Sequence, residues 1–328
     1  MTLHVHILNL YTTLELEALR SRLDESIVLT QGELTQPEDV HVLIGGWAER
    51  AQLEACPGLR AVIVPFAGTP RQTVHLLRDF PQVTLHSLHY NVAPTAEMAV
   101  ALLLAASKRL VALDQELRQF DWRSRYGVTD AIVLEGKTAL ILGYGQIGRK
   151  IARACRGLSM EVIGVRRSVE GEAGAVDENG AAVHPVASLH ELLPRADALV
   201  LVLPGTDETN ALVGERELAL LPQGAVLVNV GRGPTLDEEA LWNALRSGHL
   251  RAVGLDVWWS YPESVEERVG TAPSRFPFHE LPNVVLSPHR AGWLSESEED
   301  RMALLAESLN AAARGEPIPS QVDKQLGY

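Results

Sequence analysis

The sequence predicts an α/β protein built from two doubly wound parallel sheets. Three observations carry this expectation. Short apolar runs alternate with helical patterns through the first part of the chain, and a second such series begins at Thr138. That second series opens on a glycine-rich turn between a strand and a helix, Gly143-Tyr144-Gly145-Gln146-Ile147-Gly148. Strands that alternate with helices imply a parallel sheet covered on both faces.

In the first series, residues 3–8, 40–44, 61–64 and 83–85 read as strands flanked by turn chemistry. Leu14, Leu16, Leu19 and Leu23, then Val74, Leu76 and Leu77, mark covering helices. A long helix is expected over 95–117, with Met98, Leu102, Ala105, Leu110 and Leu113 at helical spacing. Pro94 sits just before it, where a missing N–H costs nothing. The stretch 120–127 is aromatic and charged without a period, and reads as an arm that packs on something else, such as a second subunit. In the second series, strands are expected at 138–142, 161–165, 198–203, 225–230, 252–257 and 284–287. Helices are expected at 146–157, 189–193, 215–220, 236–247 and 297–313. A final helix after the second series implies that the chain crosses between domains twice.

The 328 residues suffice for two domains with their own cores. A hydrophobic content of 46%, a charged content of 22% and a near-zero mean hydropathy describe an ordinary globular chain. A net charge of −13 argues against a nucleic-acid binder or a partner of anionic membranes. Anionic small substrates stay open, because a few arginines dominate a local pocket. Cys56 and Cys155 are the only cysteines and read as reduced thiols. The N-terminus has no signal-peptide pattern, and the most apolar stretch, 92–107, contains Pro94 and Glu97 and is too short for a bilayer. A cytoplasmic location is the expectation. Without a His-Glu-x-x-His or Cys-x-x-Cys pattern, no metal site is expected.

The glycine turn has the context that dinucleotide binding requires. Residues 138–142 form a buried strand, and Ile147, Ile151 and Ala154 give the following helix an apolar stripe. Gly143 permits the tight turn, Gly145 lets a pyrophosphate approach the backbone, and Gly148 allows close helix–strand packing. Gln146 and Ile147 open the helix, whose free N–H groups and positive dipole end face the phosphates. No Lys-Ser/Thr follows, so the turn is not a nucleotide-hydrolysing loop. The next strand ends in Arg166-Arg167-Ser168, where NAD-selective sites carry an acid for the ribose 2′-hydroxyl. Arginine suits a 2′-phosphate, and one such hydrogen bond shifts preference about tenfold to a hundredfold. NADP(H) is therefore the expected cofactor, with NAD(H) as the lesser one.

Three later segments fall at the ends of expected strands: Asn229-Val230-Gly231-Arg232-Gly233, Gly254-Leu255-Asp256-Val257-Trp258 and Ser287-Pro288-His289. With the glycine turn, this ordered set resembles the D-isomer-specific 2-hydroxyacid dehydrogenase family over nearly the whole chain. The resemblance implies two domains of Rossmann/flavodoxin-like type with the active site in the cleft. Residues 1–93 plus 291–328 would form the substrate domain and 94–290 the dinucleotide-binding domain. It implies interconversion of a small 2-oxo acid and its D-2-hydroxy acid, with Arg232 holding the carboxylate and carbonyl oxygen and His289 as the acid/base. Asp256 would lie near the nicotinamide, and Pro204 and Thr209 would join the cofactor-binding residues. Ala67 and Gly68, in the Phe66-Ala67-Gly68-Thr69 turn, match the loop that offers backbone N–H groups to the substrate carboxylate. Asn91 matches an asparagine that touches substrate in the formate dehydrogenase branch. The resemblance further implies a homodimer through the cofactor domains.

One position departs from the family pattern. Most members carry a glutamate five residues after the motif aspartate, where its charge raises the pKa of the catalytic histidine. Here that position is Tyr261, whose hydroxyl is expected to orient His289 without raising its pKa much. Trp258, Trp259, Tyr261 and Trp293 stand as candidate pocket walls, with plain packing the commoner role of such clusters. Two other readings remain: a dinucleotide-sensing, catalytically weak regulatory homologue, and a formate-type dehydrogenase.

Overall fold

The computed structural model describes residues 2–169 and 171–328. The chain divides into two compact units: Met1–Asn91 with Trp293–Tyr328, and Val92–Gly292. The crossings expected after 93 and after 290 fall after Asn91 and after Gly292.

In the first unit, β1 (Leu3–Ile7), α1 (Thr13–Arg20), β2 (Ile27–Gln31), β3 (Val42–Ile44), α2 (Arg50–Ala55), β4 (Ala61–Val64), α3 (Arg71–Arg78) and β5 (Thr84–Ser87) follow in order. The five strands are parallel, in the order β2-β1-β3-β4-β5. Thr12 and Glu15 close a capping box at the start of α1, satisfying two otherwise unpaired N–H groups. Alternate residues feed opposite faces of the sheet: Val42, Ile44, Ala61 and Ile63 on one, Leu43, Val62 and Val64 on the other. The edge strand β2 is absent from the sequence expectation. Its residues are all part-exposed or exposed, because an edge strand meets solvent along one side and carries a weaker apolar signal.

The second unit opens with α4 (Val92–Lys108), α5 (Leu110–Arg118) and the single turn α6 (Arg123–Tyr126). The single helix expected over 95–117 is thus two helices, broken at Arg109, which has φ +53°. In an unbroken helix the Ser107 carbonyl would accept from Val111; here it accepts from the Ile132 N–H at 3.0 Å. Lys108 Nζ bonds the Ile132 carbonyl at 2.6 Å and Arg109 pairs with Asp130 at 2.8 Å. These tertiary bonds outweigh the cost of about 1–2 kcal/mol for a left-handed residue.

Then come β6 (Thr138–Leu142), α7 (Gln146–Gly157), β7 (Glu161–Arg166), β8 (Ala181–Pro185), α8 (Leu189–Leu192), β9 (Ala198–Leu201), α9 (Glu215–Leu220), β10 (Ala225–Asn229), α10 (Glu238–Arg246), β11 (Leu250–Leu255) and β12 (Val284–Leu286). The seven strands are parallel in the order β12-β11-β10-β9-β6-β7-β8. The order reverses beside β6, the switch point where open parallel sheets place ligands. Leu140 and Leu142 face one core with Leu199, Leu227 and Val253; Ala139 and Ile141 face another with Ile151, Val200 and Val228. The strand β8 was not expected from the sequence, since Ala181-Ala182-Val183-His184-Pro185 lacks a run of large apolar residues.

The chain returns to the first unit as α11 (Ser295–Arg314). Met302, Leu305, Ala306 and Leu309 of α11 complete the core formed by Leu3, Val5 and Ile7. Arg301 is nearly buried, pairs with Glu15 and Glu298, and lies 5.0 Å above the Tyr11 ring. Burial pushes the Tyr11 hydroxyl up to about 12. Beyond the helix, Val322 N–H donates to the Leu85 carbonyl at 2.7 Å, so the tail covers the open edge of β5. Among the described residues, no helix is long and apolar enough to cross a membrane, and no group of three metal-ligating side chains occurs.

Candidate active site

The glycine turn leaves the end of β6 and enters α7 at Gly145, its N-cap. Gly143 has φ +106°, and a Cβ there would stand 2.5 Å from the Val202 carbonyl oxygen. Only glycine takes that backbone without strain. A Cβ on Gly148 would stand 2.6 Å from the Gly143 oxygen, so the helix packs directly on the turn. At Gly145, by contrast, nothing of the protein lies within 4 Å of a Cβ position. Gln146 beside it is exposed, while Ile147 packs on the core. The cradle and the free helix N-terminus fit a dinucleotide pyrophosphate.

Sequence reasoning passed over Tyr144. Its ring is buried against Gly164, where a Cβ would be 2.6 Å from it, and its hydroxyl donates to Asp177 at 2.8 Å. Burial raises its pKa, as does the Asp177 carboxylate. Asp177 also accepts from the N–H groups of Asn179 and Ala181, so the turn is tied to the start of β8.

Arg166, Arg167 and Ser168 leave the end of β7 exposed, and Arg167 is ion-paired with Glu208. Glu208 belongs to the turn after β9 that contains Pro204 and Thr209. The Thr209 hydroxyl donates to the Pro204 carbonyl at 2.6 Å and accepts from the Thr206 N–H at 2.9 Å. Those two residues therefore build the turn itself.

Arg232 follows β10. A Cβ on Gly231 would meet the Leu203 oxygen at 2.6 Å, and one on Gly233 would meet the Trp258 oxygen at 2.0 Å. The flanking glycines let this backbone thread between two neighbours. Buried Asn229 donates to the Arg232 carbonyl and accepts from Gly231 N–H, and Thr235 donates to the same carbonyl at 2.7 Å. The guanidinium bonds the Gly231 carbonyl at 2.7 Å, and burial draws its pKa below the usual value.

Asp256, at the end of β11, is fully buried. Its carboxylate accepts from the Ser287 hydroxyl, from Arg290 N–H at 2.9 Å and from Ala291 N–H at 3.0 Å. Both of its oxygens are thereby engaged by the loop that carries His289. Ser287, which the sequence reading did not separate from its motif, is a second anchor of this loop. His289 sits at φ +57°, a left-handed conformation that costs a residue with a Cβ about 1–2 kcal/mol and is sustained by this pinned loop.

Tyr261 faces His289 with its ring, centroids 5.5 Å apart and planes tilted by 50°. The hydroxyl, expected to orient the imidazole, accepts instead from the Trp258 N–H at 2.9 Å. Partial desolvation lowers the His289 pKa, the Arg232 charge lowers it further, and Asp256 opposes both. Desolvation raises the Tyr261 hydroxyl, which stays neutral. Trp258 and Trp259 spend their indole N–H groups on the Ser287 and Leu236 carbonyls, and Trp259 stacks on Phe278. In the first unit, Ala67 and Gly68 lie in the turn after β4, with Gly68 at φ +78°. Asn91 carries a buried side-chain oxygen with no hydrogen-bond partner among the described residues. Trp293, also in that unit, is exposed.

Residues 100–291 match the family model described as D-isomer specific 2-hydroxyacid dehydrogenase, NAD binding domain. The chain is 32% identical over 321 residues to glyoxylate/hydroxypyruvate reductase B of Pectobacterium atrosepticum, covering 94% of this chain and 95% of that protein. It is 35% identical over 259 residues to glyoxylate reductase of Thermococcus litoralis, covering 76% of this chain and 74% of that protein. Among solved structures, a glyoxylate reductase from Paecilomyes thermophila superposes with a TM-score of 0.79 at 26% identity, covering 99% and 100% of the two chains. An NADPH-dependent glyoxylate/hydroxypyruvate reductase of Sinorhizobium meliloti, in complex with NADP and sulfate, shares the fold with a TM-score of 0.81 at 22% identity over the full length of both. The chain belongs to the D-isomer specific 2-hydroxyacid dehydrogenase family and is an NAD(P)-dependent oxidoreductase.

Proposed function

We propose that this enzyme reduces a small 2-oxo acid of the glyoxylate and hydroxypyruvate type to its D-2-hydroxy acid, and that it prefers NADPH to NADH. The observation that carries the reading is the gathering of Arg232, His289 and Tyr261 in the unit that holds the open Gly145 cradle. The names of the glyoxylate reductase relatives support the substrate class.

In this reading Arg232 presents its fork to the substrate carboxylate and carbonyl oxygen. The bound nicotinamide supplies the hydride for the carbonyl carbon. His289, protonated, donates its proton to the carbonyl oxygen as negative charge develops there. Asp256 and Ser287 hold the loop that aims His289. The Tyr261 ring limits the swing of the imidazole and adds no charge. Ala67 and Gly68 serve the substrate carboxylate, and the unpartnered Asn91 oxygen supports a substrate contact there.

Exposed Arg166, with Arg167 and Ser168, supports reading of a 2′-phosphate, where NAD-selective sites place an acid. A homodimer is part of the proposal. Leu110, Leu113 and Leu117 on α5, with Phe120, Trp122 and Tyr126 beyond it, expose apolar surface that a second copy would cover. Light scattering should then give twice the chain mass.

The decisive experiment follows NADPH and NADH oxidation with glyoxylate, hydroxypyruvate and pyruvate. Turnover with the first two and a higher kcat/KM for NADPH is expected. Tight coenzyme binding without turnover of any acid would overturn the proposal in favour of a coenzyme sensor, and reduction of NAD(P)+ by formate in favour of a formate-type enzyme.

A further inference from the structure

We infer that Glu208 is a specificity-determining residue that competes with the coenzyme's 2′-phosphate for Arg167. The inference rests on the proposed reading of a 2′-phosphate by the end of β7.

Three placements support it. First, β7 and β9 are the two neighbours of β6. A bond between the segment after β7 and the segment after β9 therefore passes over the end of β6, where the glycine turn begins. The turn is tied to both flanks: Gly143 and Tyr144 N–H groups donate to the Val165 carbonyl at 2.9 Å, and the Gly143 backbone abuts Val202. Second, the Arg167–Glu208 ion pair is that bond. Third, Glu208 is not on a free loop. The hydroxyl of its neighbour Thr209 bonds the Pro204 carbonyl and the Thr206 N–H, which ties down the backbone of the turn from 204 to 209 that carries Glu208.

The chemistry then follows from charge. The Glu208 carboxylate occupies the Nη2 donor of Arg167, a group that a phosphate oxygen would also take. A 2′-phosphate that takes the arginine must displace Glu208 and must also approach a fixed negative charge. A 2′-hydroxyl meets neither obstacle to the same degree. Glu208 thus lowers discrimination in favour of NADPH, while Arg166 and Arg167 raise it. Both partners are partly solvated, with side-chain exposures of 35% for Arg167 and 66% for Glu208. An exposed pair of this kind changes an equilibrium by up to about fivefold.

The test is a fluorescence titration of NADPH and NADH binding to the full-length wild type, Glu208→Gln, Arg167→Ala and the double variant. Glu208→Gln should raise the ratio Kd(NADH)/Kd(NADPH) by about threefold to fivefold. Most of that gain should vanish in the Arg167→Ala background, since the two residues act through one contact. An unchanged ratio in Glu208→Gln overturns the inference, as does weaker binding of both coenzymes, which would make Glu208 a coenzyme ligand. A wild type that favours NADH while Glu208→Gln still raises the ratio sinks the NADPH preference and leaves the competition standing.

Discussion

Replacing Tyr261 with glutamate places a carboxylate where the protein now has a neutral ring. The present ring centroid lies 5.5 Å from that of His289. Two unit charges at that separation attract by about 3 kcal/mol at an effective dielectric of 20, or about 2 pK units. Tyr261 is 44% exposed, so solvent screening halves this to a working expectation of about 1 unit upward. In the wild type, desolvation and the Arg232 charge hold the His289 pKa below 6.5. Reduction uses the protonated imidazole, so its rate should fall as pH rises through a midpoint below 6.5. Tyr261→Glu should move that midpoint up, and oxidation of the hydroxy acid, which uses neutral His289, should lose activity at a correspondingly higher pH. The assay is kcat/KM against pH in both directions. Tyr261→Phe is the control: it removes the acceptor of the Trp258 N–H, at about 1 kcal/mol of stability, and should leave the midpoint in place. Coincident profiles for wild type and Tyr261→Glu would refute the electrostatic reasoning.

The glycine turn gives a contrast between two alanines. Gly145→Ala should lower stability by no more than the lost N-cap preference, under about 1 kcal/mol, since its Cβ meets nothing, yet weaken coenzyme binding about tenfold or more by filling the cradle. Gly143→Ala should lower stability by more than about 1 kcal/mol, because its backbone is left-handed and its Cβ would strike Val202; equal melting curves for the two variants would count against this division of roles. Asp256→Asn turns one acceptor of the 287–291 loop into a donor facing donors. Urea unfolding should show a loss of about 2–3 kcal/mol, and kcat should fall more than coenzyme affinity. Weaker coenzyme binding at unchanged stability would instead give Asp256 the nicotinamide contact that the family resemblance implies.

The sequence made the interior of both sheets legible, because buried parallel strands are continuous apolar runs such as Ala61-Val62-Ile63-Val64 and Thr138-Ala139-Leu140-Ile141-Leu142. It hid β2 and β8, two of the four edge strands, in which part-exposed positions or small residues replace a run of large apolar ones. It also hid the break at Arg109, whose cause lies in bonds to residues 130–132 and not in local propensity. At the candidate site, motifs located Arg232, Asp256 and His289, since each sits at a strand end. Motifs carried no information on which oxygen takes which proton. The Tyr261 hydroxyl belongs to Trp258, the Asp256 carboxylate belongs to the 287–291 loop, and Arg167 already has Glu208. Each of these pairings is set by side-chain direction across non-adjacent segments, which spacing along a chain does not encode.

The division of the first unit into two stretches of chain has a consequence for how the molecule is made. Its sheet comes from residues up to Asn91, but the helix that supplies Met302, Leu305 and Leu309 to its core emerges only after the whole of Val92–Gly292. At about 5–20 residues per second, those intervening residues take on the order of 10–40 s to synthesise. For that interval β1 and its neighbours display an uncovered apolar face, and Tyr11 and Glu15 wait for Arg301. The contiguous second unit therefore completes first on the ribosome. Until α11 emerges, that uncovered face is the kind of transiently exposed apolar surface that chaperones bind.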